Sequence, residues 1–146
     1  ERIEQWLAEA KNEGAQIVVG GGREGCQVEP TLLTDASPDS RVVSEEVFGP
    51  VLAATVVNGI DEAYATVNAS RFGLQAGVFT HNVQHAFRAF SELDVGGVII
   101  GDVPSFRADQ MPYGGVKSSG VGREGLRSAM EDLSYEKTMV LTGIDL

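Results

Sequence analysis

The chain has 146 residues, enough for one domain with a core, and 42% of them are hydrophobic, an ordinary share for a globular protein. Its 21 acidic side chains against 11 basic ones give a net charge of -10, which argues against a nucleic-acid footprint or an anionic membrane surface as partner. No apolar run approaches the roughly 20 residues of a membrane span, and a single cysteine excludes an internal disulfide framework and points to a reducing, cytoplasmic setting.

The opening residues Glu1-Arg2-Ile3-Glu4 are charged and resemble neither a secretory signal nor a transit peptide; without an initiator Met, they predict a trimmed chain or an excised piece. Ile3, Trp6, Leu7 and Ala10 then repeat at helical spacing, so a helix is predicted over 3–11, with Lys11 and Gly14 as stop signals. Residues 16–19 read as a short strand followed by glycines, and 30–33 as a second extended piece. Ser37-Pro38 predicts a short helix running to about Ser44.

Next comes the stretch on which the chain turns, Glu45-Glu46-Val47-Phe48-Gly49-Pro50. Pro50 biases Gly49 away from helix, so the chain must enter the apolar run 51–57 extended. That run has the length and composition of a strand buried on both faces. Side chains just before such a strand are held rigidly yet lie near a sheet edge, a good place for a ligand contact. Spacing alone favours the plainer reading, a surface carboxylate pair opening a short helix.

After the turn dipeptide Asn58-Gly59, helical period returns at Ile60, Ala63, Tyr64 and Val67. Gly73 closes a turn, and 74–80 is strand-like. Asn82 is suited to cap a helix with Val83, Ala86, Phe87, Phe90 and Leu93 on its apolar face. Gly96-Gly97 leads into another buried strand over 98–100. This order predicts an α/β fold with a largely parallel sheet. Residues 101–125 form a long loop with Phe106, Arg107, Asp109, Met111 and Tyr113; long loops leaving a strand's carboxyl end are usual ligand sites. Leu126, Ala129, Met130 and Leu133 predict one more helix. Residues 137–142 predict a final, uncovered edge strand that seeks a partner.

Two segments match G-x-G-x-x-G, Gly20/Gly22/Gly25 and Gly120/Gly122/Gly125. The first lacks a following helix and the second a preceding buried strand, so close backbone packing is the better reading of both. Cys26 has no histidine near it in sequence and reads as a bystander rather than a nucleophile. His81 and His85 have i, i+4 spacing but no third ligand, so no metal site is expected. Phe106, Met111 and Tyr113 either line a pocket or anchor the long loop.

Several collinear motifs resemble the C-terminal part of the NAD(P)-dependent aldehyde dehydrogenase superfamily. They are Pro30-Thr31-Leu32, the hexapeptide from Glu45 to Pro50, Asn68-Ala69-Ser70-Arg71-Phe72-Gly73-Leu74 with Val78-Phe79-Thr80, the run from Met111 to Gly120, and Gly122-Arg123-Glu124. The loop Asp102-Val103-Pro104-Ser105-Phe106-Arg107 is most similar to the lactaldehyde- or glyceraldehyde-type branch. The resemblance implies a three-layer α/β/α catalytic-domain fold, present in part, over residues 1–134, and an oligomerisation strand over 135–146 that pairs with a neighbouring subunit.

It also implies roles. Glu46 would hydrogen-bond the nicotinamide ribose of NAD or NADP, and Phe48 would pack near the nicotinamide ring. Phe106 and Tyr113 would line the aldehyde tunnel. The family's chemistry runs through a thiohemiacetal and a thioester on a cysteine that lies upstream of this stretch, as does the general base. Cys26 does not match the nucleophile's motif. The implied expectation is therefore a piece with no catalytic residue of its own, inactive alone and self-associating. A stand-alone nucleotide-binding or interaction module is the alternative. One departure stands out: Gly101 occupies the place of the family's usual asparagine, with loss of a side-chain hydrogen bond.

Overall fold

The computed structural model describes residues 1–143 and 145. The chain divides into two compact units, Glu1–Ala63 and Tyr64–Leu146, with the boundary inside one helix.

In the first unit, α1 (Arg2–Asn12) lays Trp6, Leu7 and Ala10 into the core, as the helical period predicts. β1 (Gln16–Val19), β4 (Thr31–Thr34) and β5 (Val51–Ala54) form a three-stranded sheet with β4 central. β4 runs antiparallel to β1 and parallel to β5, pairing Thr31 with Val51 and Leu33 with Ala53. Between them β2 (Arg23–Glu24) and β3 (Gln27–Val28) make a small hairpin with Cys26 exposed in its turn. Leu33 is fully buried, in a core with Trp6, Leu7, Ala10, Ala15 and Val42; Val47 and Val51 pack against it. The helix expected after Ser37-Pro38 begins later. Ser40 is still extended, and α2 is a single turn, Arg41–Ser44. The Ser37 hydroxyl accepts from the Asp39 amide, and a backbone turn from Ser40 to Ser37 absorbs the first residues.

α3 (Ile60–Ala69) crosses the unit boundary. In the second unit β7 (Gln75–Val78), α4 (Val83–Glu92) and β8 (Gly97–Ile100) make a parallel strand–helix–strand unit, and the Asn82 side chain caps α4 by accepting from the Gln84 amide. β6 (Phe72–Gly73) pairs antiparallel with β9 (Val116–Lys117), and α5 covers Leu126–Asp132.

The chain is thus α/β, with three corrections. Among the described residues the strands pair in four sheets rather than a single largely parallel one; the two parallel pairs belong to different units. The apolar run 51–57 is strand only through Ala54, and it is not buried on both faces: Leu52 is 65% exposed, because α1 and α2 cover a single face of β5. Residues 137–142 form no ladder among the described residues, and Met139, Val140 and Leu141 are exposed. A strand exists only through a partner's hydrogen bonds, and no strand among the described residues supplies them. Ile144 and Leu146, at the end of the expected oligomerisation strand, lie outside the described residues.

Two tests follow from this packing. Leu33→Ala, in the central strand, should lower stability by about 3 kcal/mol, whereas Leu52→Ala should change it by less than about 0.5 kcal/mol; urea unfolding of both variants checks the contrast. The Glu62 carboxylate accepts from the amide and side chain of Asn58 at 2.7 and 2.9 Å, and these bonds hold its pKa below the usual carboxylate value. A depressed folded pKa contributes stability present above the unfolded value and lost as pH falls through the folded one. NMR titration should find Glu62 protonating below a reference glutamate, with the start of α3 loosening in that window; an ordinary Glu62 titration would contradict the bond.

Candidate cofactor- and substrate-facing sites

The hexapeptide closes the first unit's core. α2 ends at Ser44, and Glu45 is already extended, with φ -118° and ψ 162°. Val47 turns into the core. Phe48 then adopts φ +48°, a left-handed conformation costly for a side chain without local compensation. Gly49 follows, and a Cβ there would lie 2.3 Å from Ile3 Cδ1, so a side chain at this position would force the Ile3 side chain to move. The Val51 amide bonds back to Gly49 O at 2.8 Å, and the Thr31 amide bonds to Pro50 O at 2.8 Å, starting the β4–β5 ladder. A guanidinium nitrogen of Arg2 donates to Val47 O. The turn is thereby held from both flanks.

Glu45, Glu46 and Phe48 are its exposed side chains apart from the Gly49-Pro50 end. Glu46 is exposed, and its carboxylate has no protein partner among the described residues. Phe48 is 78% exposed. Beside the turn lies an open, mostly apolar groove of about 440 Å³ lined by Val19, Pro30, Leu32, Pro50 and Leu52. An acceptor without a partner next to a bare aromatic suits a ligand with hydroxyls at one end and a flat ring at the other.

The long loop of the second unit starts at Gly101, whose φ of +82° is in the left-handed region that favours glycine and whose surroundings are open. The Gly101 amide continues β8 by bonding to Val78 O at 2.9 Å. Phe106 is exposed, its carbonyl held by Gln75 Nε2 at 3.1 Å. Arg107 lies over the Tyr113 ring, 4.7 Å from its centroid, and pairs with Glu124 at 3.1 Å. Tyr113 and Glu124 also exchange backbone hydrogen bonds. Tyr113 is half-buried and lines a cleft of about 360 Å³ with Leu74, Ser119, Val121 and Arg123; Phe106 does not reach that cleft.

Of the expected site residues, Glu46 and Phe48 therefore share one turn of the first unit, and Phe106 and Tyr113 share one loop of the second. Sequence reasoning missed the framework beneath them. Asn68 donates to Glu92 O and accepts from the Asp94 amide, both at 2.8 Å, while Lys117 Nζ bonds Asn68 O at 2.9 Å and lies 3.4 Å from Asp94. The Gly73 amide bonds to the Ser119 hydroxyl at 2.9 Å. Two motifs recognised separately are one construction: the first wraps the end of α3, and the second is pinned to it through β6 and β9.

The glycine-rich segments behave as the packing reading expects in part. A Cβ on Gly20 would lie 2.1 Å from Pro30 O, a close backbone approach, and the Gly21 and Gly22 amides are taken by Thr31 Oγ1 and a Glu29 carboxylate oxygen. Gly120 and Gly122 face open space, so there the left-handed turn, not packing, selects glycine. Among the described residues no group of three or more His, Cys, Asp or Glu is arranged to hold a metal ion, and no helix is long and apolar enough to cross a membrane.

The family model described as the aldehyde dehydrogenase family matches residues 1–139. A 3-sulfolactaldehyde dehydrogenase of Priestia aryabhattai is 48% identical over 141 residues, 97% of this chain and 30% of that protein. A lactaldehyde dehydrogenase of Methanococcus maripaludis is 39% identical over 144 residues, 98% of this chain and 30% of the relative. The crystal structure of the glyceraldehyde-3-phosphate dehydrogenase GapN from Methanocaldococcus jannaschii, complexed with NADP, superposes with a TM-score of 0.84 at 35% identity, covering 91% of this chain and 29% of that one. The chain thus spans about 30% of the length of the curated relatives it matches. It belongs to the aldehyde dehydrogenase family.

Proposed function

We propose that this chain supplies the nicotinamide-facing turn and part of the aldehyde-facing surface of an NAD- or NADP-dependent aldehyde dehydrogenase. The observation that carries the reading is the pair on the locked turn: a Glu46 carboxylate without a protein partner beside an exposed Phe48 ring. A carboxylate accepts from both hydroxyls of a ribose at once, and a ring fixed at one edge orients a flat heterocycle. The dinucleotide, when bound, supplies the acceptor for the aldehyde's hydride. Glu46 would hold the sugar and Phe48 the angle of the ring, without either exchanging a proton or a bond.

The covalent part of the reaction, a thiohemiacetal oxidised to a thioester and then hydrolysed, needs a thiolate and a base. Neither is assigned to this chain; Cys26 lies exposed in the β2–β3 turn. On this reading the 146 residues alone do not turn over aldehyde.

Phe106 and Tyr113 are proposed to face the aldehyde, which the named relatives suggest is short and hydroxylated or anionic. Arg107, stacked on Tyr113, and Arg123, which lines the same cleft as Tyr113, are the cations of that loop beside this surface. Residues 1–134 would form part of a catalytic domain and 135–146 a segment that adds to a neighbouring subunit's sheet. Support for the latter is that Met139, Val140 and Leu141 stand exposed and unladdered. A cytoplasmic site fits the lone, unbridged cysteine.

The test is Glu46→Gln in the native protein that carries this chain. Replacing a charged acceptor by a neutral one should slow hydride transfer about tenfold. Deuterated aldehyde checks it, because the isotope effect on kcat should grow as that step becomes limiting. An unchanged rate and isotope effect would contradict the ribose contact.

A further inference from the structure

Arg2 lies in α1, one turn before Trp6. Its guanidinium lies over the Trp6 ring, 4.8 Å from the centroid, and Trp6 is only 5% exposed. Arg41, the first residue of α2, lies 4.3 Å from the same ring and pairs with Glu9 at 3.6 Å. Trp6 thus carries two cations, one from the helix before the sheet and one from the helix before the hexapeptide.

From that seat Arg2 donates to Val47 O. The acceptor matters, because that carbonyl belongs to the peptide unit joining Val47 to Phe48. The orientation of that plane sets the φ of Phe48, which is +48° and does not persist without a compensating hold. If the peptide rotated, φ would relax to negative values and the ring would swing away.

We propose that Arg2, braced on Trp6, is a positioning residue that fixes the Val47–Phe48 peptide and through it the Phe48 ring. This rests on the assignment of Phe48 to the nicotinamide above. Arg2 touches neither cofactor nor substrate in this account; it acts through one backbone carbonyl.

The experiment uses the native protein that carries this chain, with Arg2→Ala, Phe48→Ala, the double variant and the conservative Arg2→Lys. The dissociation constants of NAD and NADP are measured by calorimetry, beside amide hydrogen exchange across residues 45–50. Arg2→Ala should weaken binding of the preferred nucleotide about fivefold, the loss of one net hydrogen bond, and speed exchange in the turn. In the Phe48→Ala background the same change should have no further effect. Lysine, which keeps the charge but not the planar stack, should recover only part of the loss.

Unchanged nucleotide binding in Arg2→Ala would overturn the proposal, and so would an equal loss with and without the Phe48 ring, which marks a merely structural tether. If Arg2→Ala fails to fold, Arg2→Lys alone decides, with wild-type affinity and exchange counting against the proposal. If instead Phe48→Ala and Glu46→Gln both bind nucleotide as wild type does, the reading underneath has failed, and the proposal with it.

Discussion

The structure depends on the pairing of β4 with β5. Four parallel rungs join Thr31 through Thr34 to Val51 through Ala54, and the first of them sits where the hexapeptide delivers the chain into β5. Thr31 is the joint. Its amide holds Pro50 O, its hydroxyl accepts from the Gly21 amide, and it is buried. One residue, through its amide and its hydroxyl, therefore ties together a glycine-rich crossing, the central strand and the end of the outward-facing turn. Two rungs further on, Leu33 fills the centre of the core against α1. The turn is exposed, yet its flanking residues Val47 and Val51 are packed, and this combination lets an accessible carboxylate and ring keep a fixed geometry.

The second unit solves the same problem with polar ties. Its loop from Gly101 to Gly125 has little apolar packing of its own, so hydrogen bonds fix it. Lys117 reaches back to Asn68 and Asp94, Ser119 accepts from Gly73, and Glu124 clasps both the backbone of Tyr113 and the guanidinium stacked above it. Gly96 shows how tightly the parts close: a Cβ there would fall 1.7 Å from Gly114 O. The glycines of these motifs are spacers and turn-makers, which is why their resemblance to a dinucleotide fingerprint has no counterpart in the fold.

Local rules were legible in the sequence. Helical period located α1, α3, α4 and α5; Asn82 announced the cap of α4; and Gly49-Pro50 marked the entry into β5. The two residues singled out on the turn are exposed, as a ligand contact requires. Partnership was not legible. Arg2 and Val47 are 45 residues apart and Lys117 and Asn68 are 49 apart, and no spacing rule links such pairs. Burial misled in the same way. Leu52, Phe87 and Phe90 read as core by composition, yet each is mostly exposed within this chain, since apolar period says which face needs a cover and not where the cover comes from. Residues 137–142 have strand composition and no ladder among the described residues.

The central claim is that the hexapeptide faces the sugar and ring of a nicotinamide nucleotide. A crystal structure of the native protein that carries this chain, bound to NAD or NADP, tests it most directly. The account predicts the Glu46 carboxylate within about 3 Å of the ribose hydroxyls, with the Phe48 ring against the nicotinamide. A bound nucleotide whose ribose is held by other groups, with Glu46 and Phe48 turned to solvent, would contradict it.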